Sequence, residues 1–546
     1  MRIVSGAREA MGYVFIAFGA VFVFWVSAAY CFSTQRWLLL GDSTYAYLLN
    51  GLNIATGHLV GHTDHPGTTL QILCAILLRI FYFFAPDSDG QSIVMSVLTH
   101  PDWYLRNIFL SIFALQSIIL AAVASWAWRS FNTLAPAVVL LCGVFASPLI
   151  IMTQVWEVWP EILIPSLCFL LAAVTLKRWR EHTLAPALCS PALALSAGAV
   201  TGLASFTKIT CFPIFFMSFF LWKDKKNRLL YAAGFVGVAL FCMLFFWDLL
   251  GKAGSWLINL ALHTGHYGDG PASVVDMKVF YLDMMTMITS NMPLVVLLVL
   301  TLVGLFLFRK KRNSLGWKIS ALYTVATLLV AVIVAKQYRQ RYLMPIYFPI
   351  FFVPLLCVSQ MNKRSIQLAV YGVCAIFTFS SLYILYGNMM ENKTDFSEQF
   401  PRYDTSVFQG KNIIEVFDSL TVSYGLSVGN DYARGRYSEI LQQMYPHIFT
   451  YDMKEGQFYH FKRPVSLAEI LSKGPTVIHG TQLAQEAAVV TARAQQHNQS
   501  IRLAMRTTIL GDKLASFKRI PPFIEFGDAV YEVLGEIPQK GADHIK

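Results

Sequence analysis

Asp42 is a candidate catalytic residue, and it lies in Gly41-Asp42-Ser43-Thr44-Tyr45, just after the first apolar stretch. A carboxylate with an ordinary pKa of about 4 is ionised at neutral pH and can accept a hydroxyl proton in a transition state. Aspartate is also a good N-cap for a helix that begins at Ser43. The sequence leaves both interpretations of Asp42 open.

Three further polar side chains, His62, Asp64 and His65, precede an apolar stretch at residues 68–85. Two histidines separated by three positions beside Pro66 and Gly67 match no standard metal-ligand spacing. We therefore predict no metal ligands and no certain cofactor, and a divalent cation is not indicated. The three side chains could form a turn or contact a phosphate or a sugar.

Two carboxylates, Glu157 and Glu161, lie in a short segment that also contains Trp156 and Trp159. Pro160 suits the first turn of a helix, Glu161 would favour the positive N-terminus of that helix, and tryptophans populate membrane interfaces. We therefore take Glu157 as the second candidate catalytic acid.

Cations follow in two places, Lys208 between two apolar runs and the segment Lys336-Gln-Tyr-Arg339-Gln-Arg341-Tyr342. Lysine near a helix end commonly extends its ammonium to the interface, and the second group could be a membrane anchor. Guanidinium groups also bind phosphate oxygens in a bidentate manner. Lys208, Arg339, Arg341 and Tyr342 are therefore candidate contacts for a phosphate.

A glycine-rich loop contains the last candidates, His263 and His266. Its glycines suggest mobility and its histidines a polar surface. The loop is either a substrate lid or a solvated connection, and the spacing does not decide between them.

The composition places all of these residues in a membrane protein. Of the 546 residues, 55% are hydrophobic and 14% are charged, which is too apolar for a soluble enzyme of this length. The net charge of +11 arises in short basic clusters between apolar runs, so we attribute it to membrane topology and not to nucleic-acid binding. The cysteines indicate neither a disulfide framework nor a cysteine metal site.

The basic clusters also predict the topology. Residues 11–33 are longer than a signal-peptide core and predict a retained signal anchor. If residues 68–85 do not cross the membrane, the clusters that follow all share the side of Arg2 and Arg8, as the positive-inside rule requires. We therefore predict that 68–85 is a re-entrant or membrane-parallel helix inside a large external loop, residues 34–105. About eleven spans result, at residues 11–33, 107–128, 134–152, 161–176, 187–207, 209–222, 229–249, 292–308, 317–335, 343–358 and 365–388.

After residue 389 the charged and polar residues are dispersed, which is typical of a soluble domain. Residues 438–445 and 483–496 predict helices, and residues 476–479 and 529–533 predict strands. The predicted organisation is a transmembrane catalytic domain, residues 1–390, and a small external α/β domain, residues 391–546. No Walker A motif or Rossmann fingerprint is present.

Four segments, in this order, resemble the GT-C superfamily of membrane glycosyltransferases, especially members related to protein O-mannosyltransferases and to the aminoarabinose and galacturonic acid transferases of lipid A. They are Gly41-Asp-Ser-Thr-Tyr45, His65-Pro-Gly67, Gly202-Leu-Ala-Ser-Phe-Thr-Lys208 and Arg341-Tyr-Leu-Met-Pro345. The resemblance covers roughly residues 1–390. It implies that Asp42 is the catalytic residue and that Lys208 and Arg341 bind the donor phosphate. Where the family often has a second acid, this chain has Ser43, and Glu157 could substitute for it.

The resemblance further implies an inverting transferase at the periplasmic face of a bacterial inner membrane. Its donor would be a polyprenyl-phosphate sugar, its acceptor a lipid, glycan or protein, and no nucleic acid would take part. The rival interpretations are a secondary transporter of a lipid or glycan and a non-enzymatic cell-envelope assembly protein. Transporters usually place ionisable groups at mid-membrane, often in two related halves, whereas these candidates cluster at one face.

Overall fold

The structure, a computed structural model, describes residues 2–34, 41–63, 67–86, 90–131, 133–156, 158–184, 190–264, 270–312, 314–359, 364–399, 409–415, 421–452, 457–481, 517–520 and 528–533. The chain forms two compact units. The first, the membrane unit, comprises Met1–Thr34 and Gly51–Glu391. The second, the sheet unit, comprises Gln35–Asn50 and Asn392–Lys546. The segment 35–50, which we placed in the transmembrane domain from the sequence, thus groups with the C-terminal residues.

Helices make up most of the described chain. The first group is α1 (Arg2–Thr34), α2 (Gly41–Ala55), α3 (Thr68–Tyr82), α4 (Ile93–Thr99), α5 (Pro101–Phe131), α6 (Ala135–Cys142), α7 (Pro148–Trp156), α8 (Ile164–Leu184) and α9 (Pro191–Thr207). The second is α10 (Phe212–Phe216), α11 (Lys225–Met243), α12 (Leu250–Leu262), α13 (Met277–Ser290), α14 (Met292–Leu307), α15 (Leu315–Ala335), α16 (Met344–Ser359) and α17 (Arg364–Gln399). Short 3₁₀ helices lie at Gly143–Phe145, Pro160–Leu163, Ile209–Cys211, Met217–Leu221, Trp247–Leu249, Arg309–Lys311 and Gln340–Leu343.

The long apolar helices make this a multi-pass membrane protein. Within the described residues, five helices are long and apolar enough to cross a bilayer, at Ala10–Phe32, Pro101–Phe131, Pro160–Glu181, Leu315–Ala335 and Ser365–Met390. Two more spans result if each bent helix pair is one span, and those pairs, α11 with α12 and α13 with α14, bend by 94° and 92°. The described part of the chain therefore has five to seven candidate spans. Eleven were predicted, and several of the predicted spans form shorter or broken helices.

The stretch at residues 68–85 forms a short helix. Gly67, with a φ of 58°, precedes α3, whose 15 residues extend about 22 Å at 1.5 Å per residue. That length is less than the hydrocarbon core of roughly 30 Å. The proposed span α16 is only one residue longer, so helix length does not distinguish the two. The non-crossing placement of α3 rests on the basic clusters and stays a prediction.

Small residues bring α9 and α11 into close contact. A methyl group at Gly198 would lie 1.9 Å from the carbonyl oxygen of Tyr231, and one at Gly234 would lie 2.2 Å from that of Leu195. The Thr201 hydroxyl forms a hydrogen bond of 2.6 Å with the Tyr231 hydroxyl. Gly198 and Gly202 follow the small-xxx-small spacing that lets membrane helices approach closely. This packing holds the end of α9, where Lys208 follows.

The sheet unit contains a mixed sheet of seven described strands. They are β1 (Asn412–Glu415), β2 (Ile448–Asp452), β3 (Gln457–His460), β4 (Arg463–Val465), β5 (Thr476–Thr481), β6 (Phe517–Ile520) and β7 (Asp528–Val533), in the order β4-β3-β2-β1-β5-β7-β6. The central strand β1 is parallel to β2 and β5, with Ile413 opposite Ile448 and Val477. The remaining pairs are antiparallel. The predicted strands at 476–479 and 529–533 are confirmed.

Short helices accompany this sheet, α18 (Val422–Tyr432), α19 (Ser438–Met444) and α20 (Leu467–Ser472). The helix predicted at 438–445 is confirmed as α19, whereas the one predicted at 483–496 lies outside the described residues. Thr421 caps α18 by accepting from the backbone N–H of Tyr424. Asn412 ties β1 to the end of α20, because its side-chain nitrogen donates to the Ile470 carbonyl at 2.9 Å.

Candidate functional site

Glu161 lies at the centre of the candidate site. It is the second residue of the 3₁₀ helix Pro160–Leu163, which follows the extended Trp159 and continues into α8. Its side chain is 1% exposed. A carboxylate this deeply buried needs cationic or hydrogen-bonding partners, because burial without them strongly disfavours the charged form.

Lys208 supplies one cation. It adopts an extended conformation, with φ −155° and ψ 130°, and separates α9 from the 3₁₀ helix Ile209–Cys211. The break turns its side chain into the protein, where the ammonium forms an ion pair with Glu161. The same ammonium lies 4.4 Å from the ring centroid of Tyr342, within the range of a cation–π contact.

Arg341 supplies a second cation from the 3₁₀ helix Gln340–Leu343, directly before α16. Its Nε atom lies 4.0 Å from Oε1 of Glu161. Its guanidinium carbon lies 3.7 Å from the ring centroid of Trp159, which fixes the guanidinium plane by stacking. One carboxylate thus faces two cations, and the group keeps an excess positive charge.

A pocket of about 90 Å³ adjoins this group. Its lining combines apolar and polar side chains, from Lys208, Ile209, Thr210, Leu260, Ile333, Val334, Lys336, Gln337 and Tyr342. Within the described part of the chain, the Thr210 hydroxyl and the Gln337 side-chain nitrogen are buried and form no hydrogen bond with protein. These groups and Lys208 could therefore donate hydrogen bonds to an anionic ligand.

Lys336 connects the pocket to α12. Its ammonium donates to the carbonyl oxygens of Leu260 and Ala261, at 2.7 Å each. A cation at a helix C-terminus interacts favourably with the helix dipole. Partial burial lowers the pKa of Lys336 from its ordinary value. The pocket wall thus contains a lysine that already holds the end of one helix.

The segment that leads into α3 lies beside the end of α9. The Gly67 N–H donates to the Thr207 carbonyl at 3.2 Å, and the hydroxyls of Thr69 and Thr207 are 2.6 Å apart. The side chain of Gln71 donates to the backbone carbonyl of His62 at 2.9 Å. The start of α3 therefore lies next to the residue that precedes Lys208, and His62 is held there through its backbone.

The other predicted site residues fall into two groups. The first group is described and comprises His263 and Arg339. The Nδ1 atom of His263 lies 3.0 Å from the Gly270 carbonyl oxygen. Arg339 is exposed, and its backbone carbonyl accepts a hydrogen bond from the backbone N–H of Tyr342. The second group lies outside the described residues and comprises Asp64, His65, Glu157 and His266. Asp42 is the second residue of α2, and its side chain also lies outside the described part.

Sequence reasoning missed two residues of this site, Glu161 and Trp159. We assigned Glu161 to a helix N-terminus and Trp159 to the membrane interface, both on local grounds. The sequence feature that could have indicated this contact is a pair of opposite charges, Glu161 and Lys208, each located at a break between apolar runs. Opposite charges at such positions in a membrane protein often pair inside the bundle.

The arrangement can bind an oxyanion through the charge of Lys208 and Arg341 and through the donors of the pocket. Among the described residues, no group of three histidine, cysteine, aspartate or glutamate side chains could hold a metal ion. The charged groups that the structure brings together here are Lys208, Arg341 and Glu161. Neither a comparison with protein-family models nor a comparison with curated proteins finds a match for this chain.

Proposed function

We propose that this protein is an inverting membrane glycosyltransferase of the GT-C type, which moves a sugar from a polyprenyl-phosphate donor to a lipid, glycan or protein acceptor. The observation that carries the proposal is the group of Lys208, Arg341 and Glu161 beside a pocket with further donors. The excess positive charge suits a phosphate, and the apolar part of the pocket wall suits the lipid to which that phosphate is attached.

The reaction requires one base and one stabilised leaving group. The acceptor oxygen attacks the anomeric carbon as its proton passes to the Asp42 carboxylate. The bond from that carbon to the donor phosphate oxygen breaks, and the phosphate leaves with the electron pair. Lys208 and Arg341 stabilise the negative charge that develops on the phosphate. Glu157 would act as the second acid.

The remaining candidate residues would contact the donor or the acceptor. His62, Asp64 and His65 precede α3 in the sequence, and Gly67, directly before α3, contacts the end of α9. His263 and His266 follow α12 in the sequence. Arg339 and Tyr342 belong to the same cationic segment as Arg341.

The proposed topology has eleven spans, with the loop 34–105 and the sheet unit on the periplasmic side of a bacterial inner membrane. The basic clusters support this arrangement through the positive-inside rule. We further propose that the sheet unit contributes to the acceptor site, because it follows the last candidate span and has the composition of a soluble domain.

The test uses purified protein in liposomes with defined polyprenyl-phosphate sugars. Mass spectrometry of the isoprenoid-linked sugar that copurifies with the protein would first identify the donor. A transferase should convert that donor to free polyprenyl phosphate when acceptor is present, and Arg341→Ala should slow the conversion. Donor that crosses the vesicle membrane with its glycosidic bond intact, without any cleavage, would instead show a transporter.

A further inference from the structure

The first turns of α2 belong to the sheet unit, where they pack against α18. The boundary between the units falls inside α2, after Asn50. Gly425 and Gly429 lie four residues apart on α18 and therefore share one face of that helix. Both glycines lie against Tyr45 of α2.

The contact leaves no room for a side chain on either glycine. A methyl group at position 425 would lie 2.5 Å from two ring carbons of Tyr45, and one at position 429 would lie 2.7 Å from the backbone carbonyl of Tyr45. The ring of Tyr45 thus packs on Gly425, whereas the backbone of α2 itself packs on Gly429. The two glycines set how closely the helices approach.

A second attachment lies further along α2. The side chain of Asn50 donates to the Tyr432 carbonyl at the end of α18, at 3.2 Å, and to the Ala46 carbonyl at 2.8 Å. Tyr45 and Asn50 are about 7.5 Å apart along the helix axis at 1.5 Å per residue. Two attachments at this separation fix both the position and the direction of α2 relative to α18.

We propose that the contact of Tyr45 with Gly425 and Gly429 positions Asp42 for proton transfer, so that the sheet unit takes part in the reaction as well as in acceptor binding. The inference rests on the proposed function. Asp42 precedes Tyr45 by three residues on the same helix, about 4.5 Å along the axis. A helix moves as a rigid element, so a displacement at Tyr45 displaces residue 42. A misplacement of about 1 Å can cost about 10²-fold in rate.

The first experiment measures transfer by Gly425→Ala and Gly429→Ala. Turnover should fall by about 10-fold to 10²-fold in each variant while KM for the donor stays within about twofold, because the donor cations Lys208 and Arg341 belong to the other unit. Gly387→Ala is the matched control, since a methyl group there meets nothing within 4 Å. It should keep normal turnover. Normal turnover in both test variants would overturn the positioning role.

A second comparison separates positioning from general damage to the sheet unit. Tyr45→Ala removes the ring atoms that a methyl group at 425 would strike, so Gly425→Ala combined with Tyr45→Ala should recover turnover relative to Gly425→Ala alone. Tyr45→Ala should not rescue Gly429→Ala, because there the obstacle is the backbone of α2. Equal rescue of both alanine variants, or rescue of neither, would contradict the proposed geometry.

Cross-linking tests the contact without any assay of function. Tyr45→Cys combined with Gly425→Cys should form a disulfide under mild oxidation, detected as a linked peptide by mass spectrometry. Tyr45→Cys combined with Asp431→Cys, at an exposed position of α18, is the control and should form less. Absence of the first cross-link would overturn the contact. A cross-link in a protein that shows no transfer with any donor would instead reject the proposed function and leave the contact intact.

Discussion

The Lys208 ammonium and the Glu161 carboxylate form an ion pair in which the side chains are 3% and 1% exposed. The two residues come from separate helices and are 47 positions apart in sequence. Removal of two charges from water is unfavourable unless their attraction and further contacts offset it. Tyr342 beneath the ammonium and Arg341 beside the carboxylate supply such contacts. The ion pair thus stabilises the contact between the end of α9 and the Pro160–Leu163 helix.

Replacement of Glu161 by glutamine should strongly destabilise the protein. It would leave the Lys208 ammonium buried without its counter-charge, and loss of one partner of a buried ion pair costs about 3–5 kcal/mol. The measurement is the free energy of unfolding in detergent. Glu469→Gln is the control, because Glu469 pairs with Arg463 at 2.7 Å with side chains 37% and 49% exposed. That variant should lose at most about 1 kcal/mol.

The double variant Glu161→Leu with Lys208→Met tests the same interpretation. It removes both charges, so it should be more stable than Glu161→Leu alone. Strictly additive losses would show that the two charges do not interact, and the ion pair would then have no role in holding α9.

The sequence predicted the long apolar helices well, because length and hydropathy are local properties. It also placed Lys208 at a break between two apolar runs, where the extended backbone of Lys208 separates α9 from a 3₁₀ helix. It did not predict the bend of 94° after α11, because residues 244–246 contain neither proline nor glycine. The bend of 92° lies where Pro293 begins the first turn of α14, and the predicted span 292–308 starts at that point. The difference between eleven predicted spans and five to seven candidate spans among the described residues arises mainly from apolar helices of 10–17 residues, and the eleven-span topology stays a prediction.

The candidate site was predictable only in part, for a similar reason. Lys208 and Arg341 are cationic, and this property indicated anion binding. That both contact Glu161 depends on the packing of segments that are distant in sequence. Local reasoning assigned Glu161 to a helix dipole, and its burial against Lys208 appears only in three dimensions. In the sheet unit, β-branched runs predicted individual strands, but the order with β1 between β2 and β5 follows from long-range pairing.

The glycine contact between α9 and α11 yields a stability prediction. Gly198→Ala would place a methyl group 1.9 Å from the Tyr231 carbonyl oxygen, so the helices must separate. We expect a loss of about 1–3 kcal/mol, the range typical of overpacked sites. Gly237→Ala on α11 is the control, because a methyl group there meets nothing within 4 Å. Thermal unfolding in detergent should show a lower Tm for Gly198→Ala only. Equal shifts would show that the effect is not steric.

Labelling of an introduced cysteine tests the topology. Asp87, which lies outside the described residues, falls in the predicted external loop 34–105. The Asp87→Cys variant should react with a membrane-impermeant thiol reagent added from the periplasmic side, and a cysteine introduced at Lys226, in a basic cluster, should not. Reaction at position 87 only from the cytoplasmic side would reject the external loop and the placement of the candidate residues on one face.

Arg341 should control donor binding more than proton transfer. Arg341→Ala removes a charge-assisted contact with the donor phosphate, so the donor Kd should rise, and turnover should also fall if the contact tightens as the leaving group gains charge. Arg341→Lys should restore part of the affinity, because it returns the charge without the bidentate geometry and without the stacking on Trp159. Equal Kd values for all three proteins would exclude a phosphate contact at Arg341.

Asp42→Asn separates the base from the phosphate-binding residues. Asparagine keeps the size and much of the hydrogen-bonding capacity of aspartate but cannot accept the hydroxyl proton. Turnover should therefore fall by about 10² to 10⁴ while donor affinity changes little. Transfer and donor binding must be measured on the same detergent preparation, so that any loss of folded protein affects both values. Near-normal transfer would leave Asp42 only a structural role in the first turn of α2. Abolished donor binding would make it a structural or lipid-site residue, because a residue that acts only on the acceptor proton leaves the affinity for the donor unchanged.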